Sequence, residues 1–187
     1  MNEIPSIQWF PGHMTKTRRM MEKCLPLVDA VVEVIDARVP MSSRNPEINT
    51  LVEGKPRIVI LNKCDAADEK ITQSWVEYFR REGICAVPAD CRTGRGLNRF
   101  VPAVRETLAP LIEKYAAKGM SGRVLHLMVV GIPNVGKSSF INRMAGQKKA
   151  KVEDRPGVTR EKQWVMVDND IELLDMPGVL WPKFEDM

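Results

Sequence analysis

Gly131, Gly136, Lys137 and Ser138 stand in the run "GIPNVGKSS" at the spacing G-x-x-x-x-G-K-[ST]. That spacing suits phosphate binding. Glycines let the backbone N–H groups of Asn134, Val135, Gly136, Lys137, Ser138 and Ser139 approach phosphate oxygens, while Lys137 can bridge the β- and γ-phosphates. The Ser138 hydroxyl can ligate Mg²⁺, and the N-terminus of the helix that follows adds positive potential. The bland alternative is a glycine-rich turn with a surface lysine. The apolar run before the loop and the helical pattern after it favour the phosphate loop.

Such a loop serves ATP and GTP alike, so the base must be read elsewhere. In "VILNKCD" (59 to 65), Asn62, Lys63 and Asp65 fit N-K-x-D. The Asp65 carboxylate can accept two hydrogen bonds from the adjacent N1–H and N2–H of guanine, and adenine offers no such pair. Lys63 can lay its stem along the base, and Asn62 can either bond the purine edge or tie the loop to the phosphate site. Four residues after a strand could also be a plain turn, but the pairing with a phosphate loop points to GTP. In "DMPG", Asp175 can hold Mg²⁺ through water while the Gly178 N–H faces the γ-phosphate. Thr159, in the polar loop "EDRPGVTRE", is the switch threonine expected to close over Mg²⁺.

Alternating strands and helices must position these residues. "DAVVEVIDA" (29 to 37) reads as a strand buried on both faces. "RNPEINTLVEG" reads as a helix capped by Asn45, opened by Pro46, striped with Ile48, Leu51 and Val52, and stopped at Gly54. The strand "RIVIL" delivers the Asn62 loop, and Ile71, Trp75, Tyr78, Phe79 and Glu82 recur at helical spacing. A short strand, "ICAVP", exits into "ADCRTGRG". Leu97, Val101, Val104, Leu108, Leu111 and Tyr115 predict one amphipathic helix, which Pro110 either kinks or ends. "KGMSGR" (118 to 123) reads as a linker before the strand "VLHLMVV", the phosphate loop and a helix with Phe140, Ile141 and Met144. His126 within that strand is expected as a packed core residue. "QWVMV" and "IELLD" close the pattern as a hairpin.

Composition bounds the rest. The 187 residues, 44% hydrophobic and 28% charged, suit one globular domain with a short extension. No apolar run approaches a membrane span and the first residues carry no signal core, so a cytoplasmic protein without a membrane partner is expected, taken as a monomer. Cys24, Cys64, Cys85 and Cys91 show no metal-ligand spacing and read as free thiols. A net charge of +4 proves no nucleic-acid partner.

In most GTP-binding domains the phosphate loop precedes the base-reading loop, and here it follows. The order resembles a circularly permuted Ras-like G domain: an α/β, three-layer P-loop NTPase fold with a six-stranded, mostly parallel sheet. Mapped from the ordinary G domain, the strands should lie in the order fifth, sixth, fourth, first, second, third. Expected boundaries are an N-terminal extension with a basic helix at 1–27 and the permuted domain at 28–187. Within the domain, the base-reading half spans 28–117, the linker 118–123 and the phosphate half 124–187.

Together "WFPGHMTK", "DARVPMSSRNP", "NKCD", "GIPNVGKSS", "RPGVT" and "DMPG" resemble the ribosome biogenesis GTPase A family. That resemblance implies a GTP-hydrolysing switch, with GTP or GDP and Mg²⁺ as ligands, that assists late assembly of the large ribosomal subunit and meets its rRNA. Two departures stand out. Where the family often has Ser-Ala-Lys this chain has Asp90, Cys91 and Arg92, which should support guanine through backbone N–H groups. The family's C-terminal helical RNA-binding domain is expected to be absent, because the sequence stops at Met187.

Many G domains place a glutamine after "DMPG" to orient the attacking water, and this chain has Val179. Hydrolysis should be slow alone. His13 is then either the water-orienting catalytic group, acting with Lys137 and Thr159, or a structural histidine at a Pro-Gly turn. Lys16, Arg19 and Lys23 recur on one side of a helix over 14–25, with Met14, Met21 and Val28 on another. The basic side is either solvated or an rRNA contact. The alternative activity is phosphate transfer to a small metabolite, for which no segment remains to build an acceptor pocket.

Overall fold

The computed structural model describes residues 11–146 and 163–176. Its strands are β1 (Ala30–Asp36), β2 (Arg57–Asn62), β3 (Cys85–Pro88), β4 (Leu125–Val130), β5 (Gln163–Asp168) and β6 (Ile171–Asp175). They form one sheet in the order β3-β2-β1-β4-β6-β5. This is the predicted order read from the opposite edge. All pairs are parallel except the β5–β6 hairpin, whose register shifts between Met166 and Asp168.

Helices cover both faces, as strands apolar on both sides require. On one face α4 (Phe100–Thr107) and α6 (Lys137–Gly146) meet at the rings of Phe100 and Phe140, edge to face at 5.1 Å. That contact joins the two halves of the permuted chain. Val32, Val34, Ile58, Ile60, Leu127, Val129 and Leu173 complete this core. The opposite face carries α1 (Pro11–Cys24), α2 (Pro46–Leu51) and α3 (Glu69–Arg81) over Val31, Met128, Val130 and Leu174 on one side and Ile35, Val59 and Leu61 on the other. Asn45 caps α2 as expected, its side chain accepting from the Glu47 N–H at 3.0 Å.

Several expectations are corrected. The single helix over Leu97 to Tyr115 is a 3₁₀ turn at Leu97–Arg99, then α4, then α5 (Ala109–Ala117), with the break at Leu108. Pro110 has no N–H to give the preceding turn, so it opens a new helix. On α3 only Phe79 of the apolar stripe is fully buried, and Ile71 and Tyr78 stand exposed. The N-terminal helix begins at Pro11 rather than at 14. Met21 and Cys24 bury its apolar side, while Arg19 and Lys23 face solvent; the side chains of His13, Met14 and Lys16 lie outside the described residues.

His126 is not a packed apolar neighbour. Its Nε2 lies 3.2 Å from Glu172 and its Nδ1 3.9 Å from Asp29, with the ring edge-on to Trp164. A second polar group sits beneath α2 and α3. Glu33 of β1 is 1% exposed and accepts from Arg44 at 2.8 Å and Arg57 at 2.6 Å, while Asn49 accepts from both guanidiniums. Burial pushes the Arg57 guanidinium below its ordinary value, and the Glu33 charge opposes that shift.

One carboxylate thus compensates two enclosed cations. Glu33→Gln should lower the unfolding free energy by about 3 to 5 kcal/mol, the usual cost of stripping one partner from a buried ion pair. Replacing Glu33, Arg44 and Arg57 together by apolar residues should come near neutral, as read by guanidinium unfolding.

Candidate functional site

Every parallel strand delivers its C-terminal end to the same edge of the sheet. From β1 the chain steps outward through β2 to β3, then returns across to β4 on the other side of β1. The reversal between β1 and β4 leaves a crevice at the strand ends, the usual ligand position in an open α/β sheet. A cleft of about 900 Å³ opens there, walled by Asn62, Lys63, Asp65, Asp90 and Arg92 from the first half and by Asn134, Gly136, Lys137, Ser138 and Ser139 from the second. The two motifs that are distant in sequence face one cavity.

Asn62 joins them. At the end of β2 it is 4% exposed; its Nδ2 donates to the Val135 carbonyl at 2.7 Å, and its Oδ1 accepts from the Cys91 N–H at 2.9 Å. Of its two expected roles, the structure has the tie. Gly136 follows from it, because a Cβ there would run into the Asn62 carboxamide, and its φ of +97° disfavours other residues besides. A second tie runs alongside: Lys63 Nζ donates to the Asn134 carbonyl at 2.9 Å. Lys63 and Asn134 are the two non-glycine residues with positive φ among the described residues, at 61° and 67°. Such backbone strain persists where surrounding bonds over-determine it, as they do here.

Sequence reasoning assigned no role to Asp36, which the geometry adds. At the end of β1 it accepts from the Arg38 backbone at 3.0 Å and guanidinium at 2.7 Å, and stands 3.1 Å from Lys63 Nζ. The Arg38 guanidinium holds the Asp36 carboxyl well below the usual carboxylate range, so it anchors Lys63 as an anion. Its signal was the strand-ending position in "VIDAR", two residues before a basic side chain.

Asp65 lines the cleft with its side chain 37% exposed, 3.8 Å from Arg92. The expectation for Asp90, Cys91 and Arg92 needs correction. Asp90 Oδ1 accepts from the Arg92 N–H at 2.9 Å and Oδ2 from the Thr93 hydroxyl at 2.6 Å, while the Cys91 N–H is held by Asn62. These N–H groups already shape the loop itself. Asp90 is its internal brace, and the Thr93 hydroxyl, together with the Arg92 and Thr93 N–H groups, lowers its pKa. Burial pushes the Cys91 thiol up to about 12, so it stays neutral.

On the phosphate side, Lys137 and the exposed Ser138 begin α6, while Phe140, Ile141 and Met144 bury that helix. The Lys137 ammonium donates to Asp175 at the end of β6 and to the Met176 carbonyl. Ser138 and Asp175 offer hard oxygen donors beside the phosphate loop, which fits Mg²⁺, a cation that takes one or two protein ligands with the phosphates. Thr159, Gly178 and Val179 lie outside the described residues, as does the side chain of His13.

Asn62→Ala should therefore leave the Cys91 N–H and the Val135 carbonyl without their partners and cost about 1 to 3 kcal/mol in denaturant unfolding. Asn62→Asp should be no better, since it presents a second acceptor to the Val135 carbonyl. Amide exchange at Cys91 should quicken in both variants.

Residues 126–187 match the family described as 50S ribosome-binding GTPase. The chain is 52% identical over 182 residues to a ribosome biogenesis GTPase A of Priestia megaterium, covering 97% of this chain and 63% of the relative. Among solved structures, GNP-bound YlqF from T. maritima is 29% identical with a TM-score of 0.59, over 91% of this chain and 61% of that one. A GDP-bound YlqF structure is 30% identical with a TM-score of 0.58, over 89% and 61%. The chain spans about three fifths of the length of the relatives it matches.

Proposed function

We propose that the chain is a member of the ribosome biogenesis GTPase A family, to which its 52% identity with the Priestia megaterium protein points, and that it binds GTP and GDP, hydrolyses GTP as a switch, and assists late assembly of the large ribosomal subunit. The observation that carries the proposal is the Asn62 clamp, which holds a base-reading loop and a phosphate loop around one cleft. The nucleotide named for the solved relatives, GDP or GNP, is what such a cleft should hold. Phosphate transfer to a metabolite loses its ground, because nearly the whole chain aligns with GTPases.

In this reading Asp65 accepts the guanine N1–H and N2–H, Lys63 lies along the base, and the backbone of Asn134 to Ser139 cradles the phosphates. Lys137 would leave Asp175 for the β- and γ-phosphates, concentrating positive charge where the transition state gathers negative charge. Ser138, Thr159 and Asp175 would hold Mg²⁺, which supplies charge neutralisation on the phosphate oxygens. Gly178 would meet the γ-phosphate through its N–H. Val179 can neither accept a proton from water nor orient it, so the reaction by the chain alone should be slow. His13 is our candidate for the missing group, placed by docking on the subunit. The exposed Arg19 and Lys23 of α1, with Lys16, would meet rRNA phosphates. Among the described residues no helix is long and apolar enough to cross a membrane, and we place the activity in the cytoplasm on a monomer.

Turnover of GTP, measured with and without purified large subunits, tests this. Stimulation is expected, of an order reached when a catalytic constellation is completed in trans, about 10³-fold or more. His13→Ala should abolish the stimulation while leaving GTP affinity nearly intact. Equal stimulation of both proteins would remove His13 from the mechanism, and no stimulation of either would remove the subunit as activator.

A further inference from the structure

The loop from Asp90 to Gly96 and the turn that follows carry Arg92, Arg95 and Arg99, all exposed. A fourth arginine joins them from α6. The Arg143 stem packs against Gly94, with atoms 3.4 to 3.7 Å from where a Cβ would sit, and its guanidinium donates to the Arg92 carbonyl. Among the described residues only Arg92 of the four has a carboxylate within ion-pair distance, Asp65 at 3.8 Å. The acid within the loop, Asp90, is buried, and its oxygens are taken by the loop's own donors. The Cys64 N–H donates to the Ala89 carbonyl at 3.2 Å and the Asp90 N–H to the Arg95 carbonyl at 2.9 Å, so the loop that carries Arg95 lies beside the N-K-x-D loop.

We propose that Arg95 and Arg99, backed by Arg92 and Arg143, form a docking face for the phosphate backbone of RNA. Guanidiniums left without carboxylates on a braced loop lose little on meeting phosphate and gain charge-assisted, bidentate bonds. A shallow cleft of about 630 Å³ between the loop and α6 continues the face, with Thr93, Ser139 and Asn142 as further polar partners. A protein partner fits less well. Protein interfaces centre on apolar anchors, and among the described residues none of the large exposed apolar side chains, Leu27, Val39, Met41, Ile71, Tyr78 and Met120, belongs to this face. The face also touches the nucleotide machinery: Asn62 holds the Cys91 N–H and Arg92 reaches Asp65, so RNA docking and guanine binding share one loop.

The identity of the RNA rests on the proposed ribosomal function; the docking chemistry does not. The test is Arg95→Gln with Arg99→Gln, titrated against poly(U) and against purified large subunits over a salt series, with GDP affinity as the control for folding. Two lost phosphate contacts should flatten the slope of log K against log salt for poly(U) by about 1.4, at ~0.7 per contact on a single strand. Subunit binding should weaken too, and GDP affinity should stay unchanged. An unchanged poly(U) slope overturns the inference, even if subunit binding falls, since a protein surface would then be the partner. Arginine-dependent poly(U) binding without any subunit binding supports the face and instead removes the ribosomal reading.

Discussion

The buried carboxamide of Asn62 is the interaction on which the site depends. It satisfies a carbonyl of the phosphate loop and an N–H of the loop after β3 at once, and both bonds are buried, so either backbone group would be costly to leave unpaired. A side chain with both a donor and an acceptor on one short stem is required, which serine or aspartate cannot supply in the same geometry. Because Asn62 occupies the space above the phosphate loop, Gly136 must remain without a side chain. The permutation changes the order in which the chain reaches these positions but not the positions themselves. Parallel strands in one sheet bring their C-terminal ends to one edge whichever is synthesised first.

That independence explains what could be read in advance. Motif order pointed to a permuted Ras-like G domain, and the strand order followed from that resemblance, mapped onto the rejoined chain. Asn45 and Pro46 marked the start of α2 because caps act within a few residues, while its end comes at Leu51, capped by Val52, ahead of the expected stop at Gly54. Long-range pairing was not so visible. Glu33 stands within an apolar strand, and only the fold reveals that Arg44 and Arg57 arrive to neutralise it. His126 likewise lies in a strand-like run, yet Asp29 and Glu172, far away in sequence, give it polar company. Nor does spacing tell whether the N–H groups of Cys91 and Arg92 point to a ligand or to the loop's own Asn62 and Asp90.

Charge is distributed by the same logic of enclosure. Where cations are buried, as under α2, a carboxylate accompanies them; where they anchor the base-reading loop, Asp36 does so. At the open rim of the cleft the arginines of the loop after β3 largely lack such partners, and Lys137 faces Asp175 where a triphosphate and its metal would come between them. Among the described residues the carboxylates of Glu33, Asp36, Asp90 and Glu172 are enclosed, while Arg92, Arg95 and Arg99 stand exposed near the mouth, which favours anionic ligands approaching that edge.

Under the proposed function, this reordered cleft reads guanine through Asp65. Titration calorimetry with GTP, ATP and xanthosine triphosphate, on the wild type and on Asp65→Asn, tests it most directly. The wild type should bind GTP far more tightly than ATP. The variant should lose about a hundredfold in GTP affinity, the equivalent of about 3 kcal/mol of charge-assisted hydrogen bonding, and should bind xanthosine triphosphate better than the wild type does. Equal affinities of the wild type for GTP and ATP would rule out guanine reading by Asp65.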